Sequence, residues 1–188
     1  MFERAFPDAL REELLVVQSV LPAETYNGIS CKISDEYISY MLHGNLIEIP
    51  YRMYLRDFSE DLYHRLSHIQ QMMICCIYTR SCDGNVREKY VRKLLDMSFA
   101  PWAIPFVVKL CDEYVVEILD VIYEKMKQRD NADIREFCLK NRAAICKGYA
   151  RMISYWDVFY RENVYDFRQY VGRKLFLECL GYNRIFER

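Results

Sequence analysis

The sequence predicts a mainly α fold, a single compact multi-helix bundle over residues 1–188 with no linker or separate second domain evident. A small antiparallel β-meander is expected near the N-terminus, at about residues 29–54. Three observations carry this. Apolar residues make up 52% of the 188, and a chain of that length can bury roughly 70% of its unfolded surface without help from metal or disulfide. The chain has only 6 Gly and 5 Pro, which excludes collagen-like, linker and disordered compositions. Apolar side chains also recur at helical spacing nearly throughout, alternating instead around residues 29–54.

Asp8 opens a helix running to about Val20, with Leu10, Leu14, Val17 and Leu21 on one face and Pro22 beyond its end. The period then changes in Ile29–Ile33, Tyr37–Leu42 and Leu46–Ile49, with His43-Gly44-Asn45 as a turn and Pro50 suited to a strand end. From Ser59 the chain is helical. Residues 62–80 place Leu62, Leu66, Ile69, Met73, Cys76 and Ile77 on one face, and Asp83-Gly84 is a break. A long helix over 101–127 is predicted as the centre of the bundle, with Pro101 and Pro105 in its first turns.

An aromatic helix over 142–161 is expected to bury Ile145, Tyr149, Met152, Ile153, Trp156 and Tyr160. A last helix carries Tyr170, Val171, Leu175, Phe176, Cys179 and Leu180 up to a stop at Gly181. Asn85-Val86-Arg87-Glu88, Asp133-Ile134-Arg135-Glu136 and Asp166-Phe167-Arg168-Gln169 begin alike. This opening resembles that of the second helix of HEAT repeats, which would imply a binding scaffold. The unequal offsets, and the polar cap followed by Glu or Gln, fit ordinary capping boxes better.

Formal net charge is −1, giving no global pull toward nucleic acid or anionic membrane. Its distribution is uneven: residues 1–64 hold 5 basic and 11 acidic groups, residues 129–188 hold 12 and 8. The opening residues turn acidic without a basic segment leading into an apolar one, so no secretory leader is expected. The most apolar stretch, Phe99 to Ile122, is interrupted by Pro101, Pro105, Lys109, Asp112, Glu113, Glu117 and Asp120, so no membrane span is expected. The cytoplasm is the expected compartment. The 8 cysteines contain no C-x-x-C pair and fall mostly on apolar helix positions, which predicts reduced core thiols rather than disulfides or zinc ligands.

Hydrolase and nucleotide-binding signatures are missing: no G-x-S-x-G, no phosphate-binding loop and no G-x-G-x-x-G occurs. No cofactor and no catalytic residue is assigned. His64 and His68, spaced i, i+4 with Glu60 one turn before, are a metal-site candidate, and the intervening Arg65 opposes a cation; the acidic stripe of Glu113, Glu117, Asp120 and Glu124 could also take a divalent cation. Cys75 is placed on the same polar face. Glu113, Glu117, Asp120 and Glu124, with Lys109 one turn earlier, are expected to form a solvated stripe. Asp112 points away from that stripe among apolar residues, so it is expected to be buried and to need a cation, Arg80 first and Arg151 second.

The 16 tyrosines are the most unusual number in the composition. Around 142–161 aromatic residues interleave with basic ones, making Lys147, Arg151, Tyr155 and Arg161 a candidate binding surface. The leading expectation is a non-enzymatic module that binds another protein or itself. Nucleic-acid association through the basic, aromatic C-terminal third is the alternative, and a metal-dependent enzyme around His64 and His68 comes third.

Overall fold

A computed structural model describes residues 1–183. The chain is mainly α with a small antiparallel sheet near the N-terminus, and it forms two compact units, Met1–Phe106 and the chain from Val107 onward.

In the first unit, helix α1 spans Arg11–Val20 and buries Leu14 and Val17. A single 3₁₀ turn, Asp8–Leu10, precedes it, and Asp8 makes no side-chain cap. The expected meander is a hairpin instead: β1 (Tyr37–Leu42) pairs antiparallel with β2 (Asn45–Pro50). Its two-residue turn has positive φ at both His43 (49°) and Gly44 (84°), the conformation that matches strand twist and that glycine adopts without strain. Ile29–Ile33 is not a strand. Asn27 and Gly28, both at positive φ, turn the chain before it, and the segment meets residues 52–56 through isolated bridges such as Ile33↔Met53.

The helix expected from Ser59 is two helices, α2 (Glu60–Tyr63) and α3 (His68–Tyr78). Ser67 separates them. Its hydroxyl accepts from the Gln70 N–H while the Gln70 side chain accepts from the Ser67 N–H, a reciprocal cap that starts a new helix. The break changes the helical phase, so Leu62 and Ile69 are exposed while Met72 to Tyr78 are all buried. α3 packs against α1 and against α4 (Gly84–Asp96). The Asp83 carboxylate caps α4 by accepting from the Asn85 N–H, and Tyr78 stacks on Tyr90 with ring centres 4.7 Å apart. Phe6 stacks on Phe106 and meets Trp102 edge-on.

The predicted central helix over 101–127 is likewise divided. A 3₁₀ turn at Pro101–Ala103 leads into α5 (Ile104–Leu110), and after a non-helical stretch at 111–115 the second unit continues as α6 (Val116–Met126). Then come α7 (Ala132–Lys140) and α8 (Arg142–Tyr155), which runs on into a π-helical turn at Trp156–Tyr160. Finally α9 (Val171–Lys174) passes into a second π turn at Leu175–Cys179, and Gly181 at φ 72° follows.

α9 packs on α6 and α8. Gly172 permits that approach: a Cβ there would lie 2.7 Å from the Tyr170 ring and 2.8 Å from Met152. The core of this unit includes Ile118, Leu119, Ile122, Ile134, Phe137, Ile145, Met152, Leu175 and Phe176. Of the expected buried face on the aromatic helix, Ile145 and Met152 are buried, whereas Tyr149, Ile153, Trp156 and Tyr160 are half-buried. All 8 cysteines are free, and no described helix is long and apolar enough to cross a membrane.

Candidate functional site

The interruption at 111–115 organises the most distinctive chemistry of the second unit. Asp112 is buried, as expected, and both of its carboxylate oxygens are engaged. Lys109 donates to Oδ1 and Arg151 Nη1 donates to Oδ2 at 2.5 Å. Of the two expected cations, Arg151 therefore meets Asp112. Arg80 belongs to the first unit, where its buried guanidinium donates to the Tyr51 carbonyl at 2.8 Å. Lys109 and Glu113, expected on the solvated stripe, are both buried, because the end of α5 removes them from the phase of α6. Glu117, Asp120 and Glu124 keep the exposed positions. Burial, and then Glu117 and Glu124 beside it, raise the pKa of Asp120.

The side chain that closes the interruption comes from the π turn. Tyr160 donates its hydroxyl to the Tyr114 carbonyl at 2.6 Å and accepts from the Val116 N–H at 3.2 Å. One phenol thus satisfies a backbone acceptor of the break and a first-turn N–H of α6, two groups that a helix end would otherwise leave open. Burial raises its pKa.

Around this phenol the aromatic side chains gather. Tyr114, Tyr155 and Phe159 lie mutually within 5.9–6.3 Å between ring centres, with Tyr160 next to Phe159. Tyr114 and Phe159 are exposed, as is Val158 next to Phe159 in sequence, and Tyr165 in the following loop is 81% exposed. On the inner side Trp156 packs against Phe167 at 4.7 Å and donates its indole N–H to the Val164 carbonyl. A π turn shifts the phase of the residues that follow it and is common at functional sites; here it accompanies the exposure of Val158 and Phe159.

The four residues expected to form a binding surface separate in role. Tyr155 belongs to the aromatic cluster and Lys147 is exposed on α8. Arg151 is committed to Asp112, and Arg161 pairs with Asp157 at 2.8 Å. Tyr114, Val158 and Tyr165 were not singled out from sequence. Tyr114 reads as a core residue of an unbroken helix, and only the break turns it outward.

The histidine candidates in the first unit do not share a helix. His64 ends α2, His68 begins α3, and the Ser67 cap lies between them. Glu60 receives Lys93 at 2.6 Å and Lys89 at 2.8 Å, and the hydrogen bonds from these two ammonium groups hold its carboxyl down to about 2. Its nearest approach to His64 is 3.9 Å. Cys75 is buried rather than on a polar face, with its sulfur 3.4 Å from the Tyr63 hydroxyl, and burial pushes its thiol up to about 11. Among the described residues no three metal-ligating side chains come together.

No protein-family model, no curated protein and no solved structure matches this chain.

Proposed function

We propose that this protein acts by binding another protein, and that the aromatic surface of Tyr114, Tyr155, Val158 and Phe159, with Tyr165 beyond it, is where the partner sits. The observation that carries the reading is the exposure of Tyr114, Val158, Phe159 and Tyr165 around the half-buried Tyr155. Tyr160 pins Tyr114 to the start of α6, and the ring contacts fix Tyr155 and Phe159 against it. Aromatic side chains with few rotatable bonds lose little entropy on binding and dominate protein interfaces. Exposed apolar clusters on a folded scaffold mark such interfaces.

The neighbouring charges support a protein partner over a polyanion. Arg151 and Arg161 have carboxylate partners in this chain, as does Arg168, which pairs with Asp166, so their charge is locally compensated. Phosphate-dominated binding needs uncompensated cations.

Pull-down from the source cell, compared between wild type and the double variant Tyr114→Ser, Phe159→Ser, tests the proposal. A partner held by wild type and lost by the variant, with the melting temperature of both unchanged, is the expected result. Equal recovery by a folded variant refutes it.

A further inference from the structure

The aromatic surface of the second unit is surrounded by unevenly matched charge. The two segments that build it, 114–120 and 155–169, carry five carboxylates, Glu117, Asp120, Asp157, Glu162 and Asp166, against two guanidiniums, Arg161 and Arg168. Both guanidiniums have partners: Arg161 pairs with Asp157 at 2.8 Å and Arg168 with Asp166 at 3.0 Å. Glu117, Asp120 and Glu162 are exposed, and none of them has an ion pair among the described residues. They adjoin the rings. The Tyr160 hydroxyl bonds to the Val116 N–H and the Tyr114 carbonyl, one residue from Glu117, and Phe159 lies 6.3 Å from Tyr114 between ring centres. Glu162 lies in the turn between Phe159 and Tyr165.

Local structure accounts for one of these three carboxylates and not for the others. Glu117 stands in the first turn of α6, where the helix dipole favours a negative charge. Asp120 is a turn further on and its charge is opposed: burial, and then Glu117 and Glu124, raise its pKa. Within reach of that charge the Tyr170 hydroxyl is buried and lacks a hydrogen-bond partner among the described residues, and burial, then Tyr160 and Asp120, raise its pKa. A carboxylate held among like charges gains free energy from a cation brought to it.

We infer that the partner brings a basic, arginine-bearing protein segment to this surface, its apolar side chains covering Val158 and Phe159 while its guanidiniums meet Glu117, Asp120 and Glu162. This rests on the aromatic surface being the docking face, and adds the chemistry of what docks there. Arginine suits both parts of the surface, since its planar fork matches a carboxylate and its face stacks on an aromatic ring. A polyanion is repelled, and a neutral partner leaves the three carboxylates without a counter-charge. Complementary potentials of this kind set partner choice and association rate.

Fluorescence anisotropy of the full chain with labelled peptides of alternating Leu and Arg, Leu and Gln, or Leu and Glu tests it. At low salt the Arg peptide is expected to bind at least tenfold more tightly than the Gln peptide, with the Glu peptide weakest, and added salt should narrow the difference. The triple variant Glu117→Gln, Asp120→Asn, Glu162→Gln should lose the preference for Arg. The same neutralisation at exposed Glu12, Asp35 and Asp61 of the first unit should leave it unchanged. Asp120→Asn alone, which relieves repulsion, should melt no lower than wild type and weaken Arg binding at least threefold, and it carries the test if the triple variant does not fold. Equal affinity for the Arg and Gln peptides overturns the inference. So does a preference that the triple variant keeps, or that the first-unit variant loses equally. The double variant Tyr114→Ser, Phe159→Ser separates this from the reading beneath it. If that variant loses the Arg and Gln peptides alike while the triple variant binds both as wild type does, the docking face stands and its basic partner falls. If it leaves Arg binding intact, the docking face itself falls.

Discussion

Replacing Asp112 by alanine removes the carboxylate that two cations share, and the structure separates what each cation loses. The Lys109 side chain is 3% exposed and that of Arg151 is 39% exposed. Arg151 can swing its guanidinium into water, so its share is that of a partly screened pair, about 1 kcal/mol or less. Lys109 cannot follow. A unit charge pair at 4 Å in an environment of effective dielectric 20 is worth about 4 kcal/mol, and stranding one partner of a buried pair costs about 3–5 kcal/mol. Asp112→Ala is therefore expected to destabilise the second unit by about 3–5 kcal/mol, nearly all of it through Lys109.

The chain has 2 tryptophans, Trp102 in the first unit and Trp156 in the second, so fluorescence of Trp156 in a Trp102→Phe background follows the second unit alone during urea unfolding. With a slope of about 2 kcal/mol per molar, the midpoint should fall by roughly 2 M. Adding Lys109→Met should recover part of the loss, because the buried ammonium that Asp112 served is gone, whereas Arg151→Ala alone should cost much less than Asp112→Ala. A single Asp112→Ala mutant within about 0.5 kcal/mol of wild type would refute the reasoning, as would additive losses in the Lys109→Met double mutant.

Tyr160→Phe keeps the ring and removes the hydroxyl that serves Tyr114 and Val116; a loss of about 1–3 kcal/mol is expected, with faster hydrogen exchange at the Val116 amide as the local readout. Glu60 titrates at about 2 in the folded chain against an ordinary 4.5. A carboxyl with a lowered folded pKa adds stability above its unfolded pKa, and that contribution disappears as pH falls through the folded value. Because the Glu60 side chain is 45% exposed, solvent screening limits the contribution to about 1 kcal/mol or less. Glu60→Gln should flatten the stability profile between pH 4.5 and pH 2, and an unchanged acid slope in urea titrations would show that Lys89 and Lys93 do not hold it.

What could be read in advance depended on how far along the chain the causes lay. The break at 64–67 leaves a local trace, since Ser67-His68-Ile69-Gln70 is a capping-box pattern, but it lies inside an apolar period that runs through residues 62–80 and by itself predicts one helix. The break at 111–115 has no comparable local signal. No proline or glycine falls there, and the groups that stabilise it come from Arg151 and Tyr160, 39 and 44 residues away.

Local periodicity and composition by themselves determined that the chain is mainly helical, that a small antiparallel sheet lies within residues 29–54, that the cysteines are not joined, and that Asp112 is buried beside a cation. These follow from nearest-neighbour spacing, which depends only on a few residues at a time. Tertiary structure decided the rest: that Lys109 turns inward to share Asp112 with Arg151, that Tyr114 is exposed, and that Val158 and Phe159 face outward within the π turn. Each of these depends on where a distant group arrives to satisfy a charge or a backbone hydrogen bond, and a helical period contains no information about that arrival.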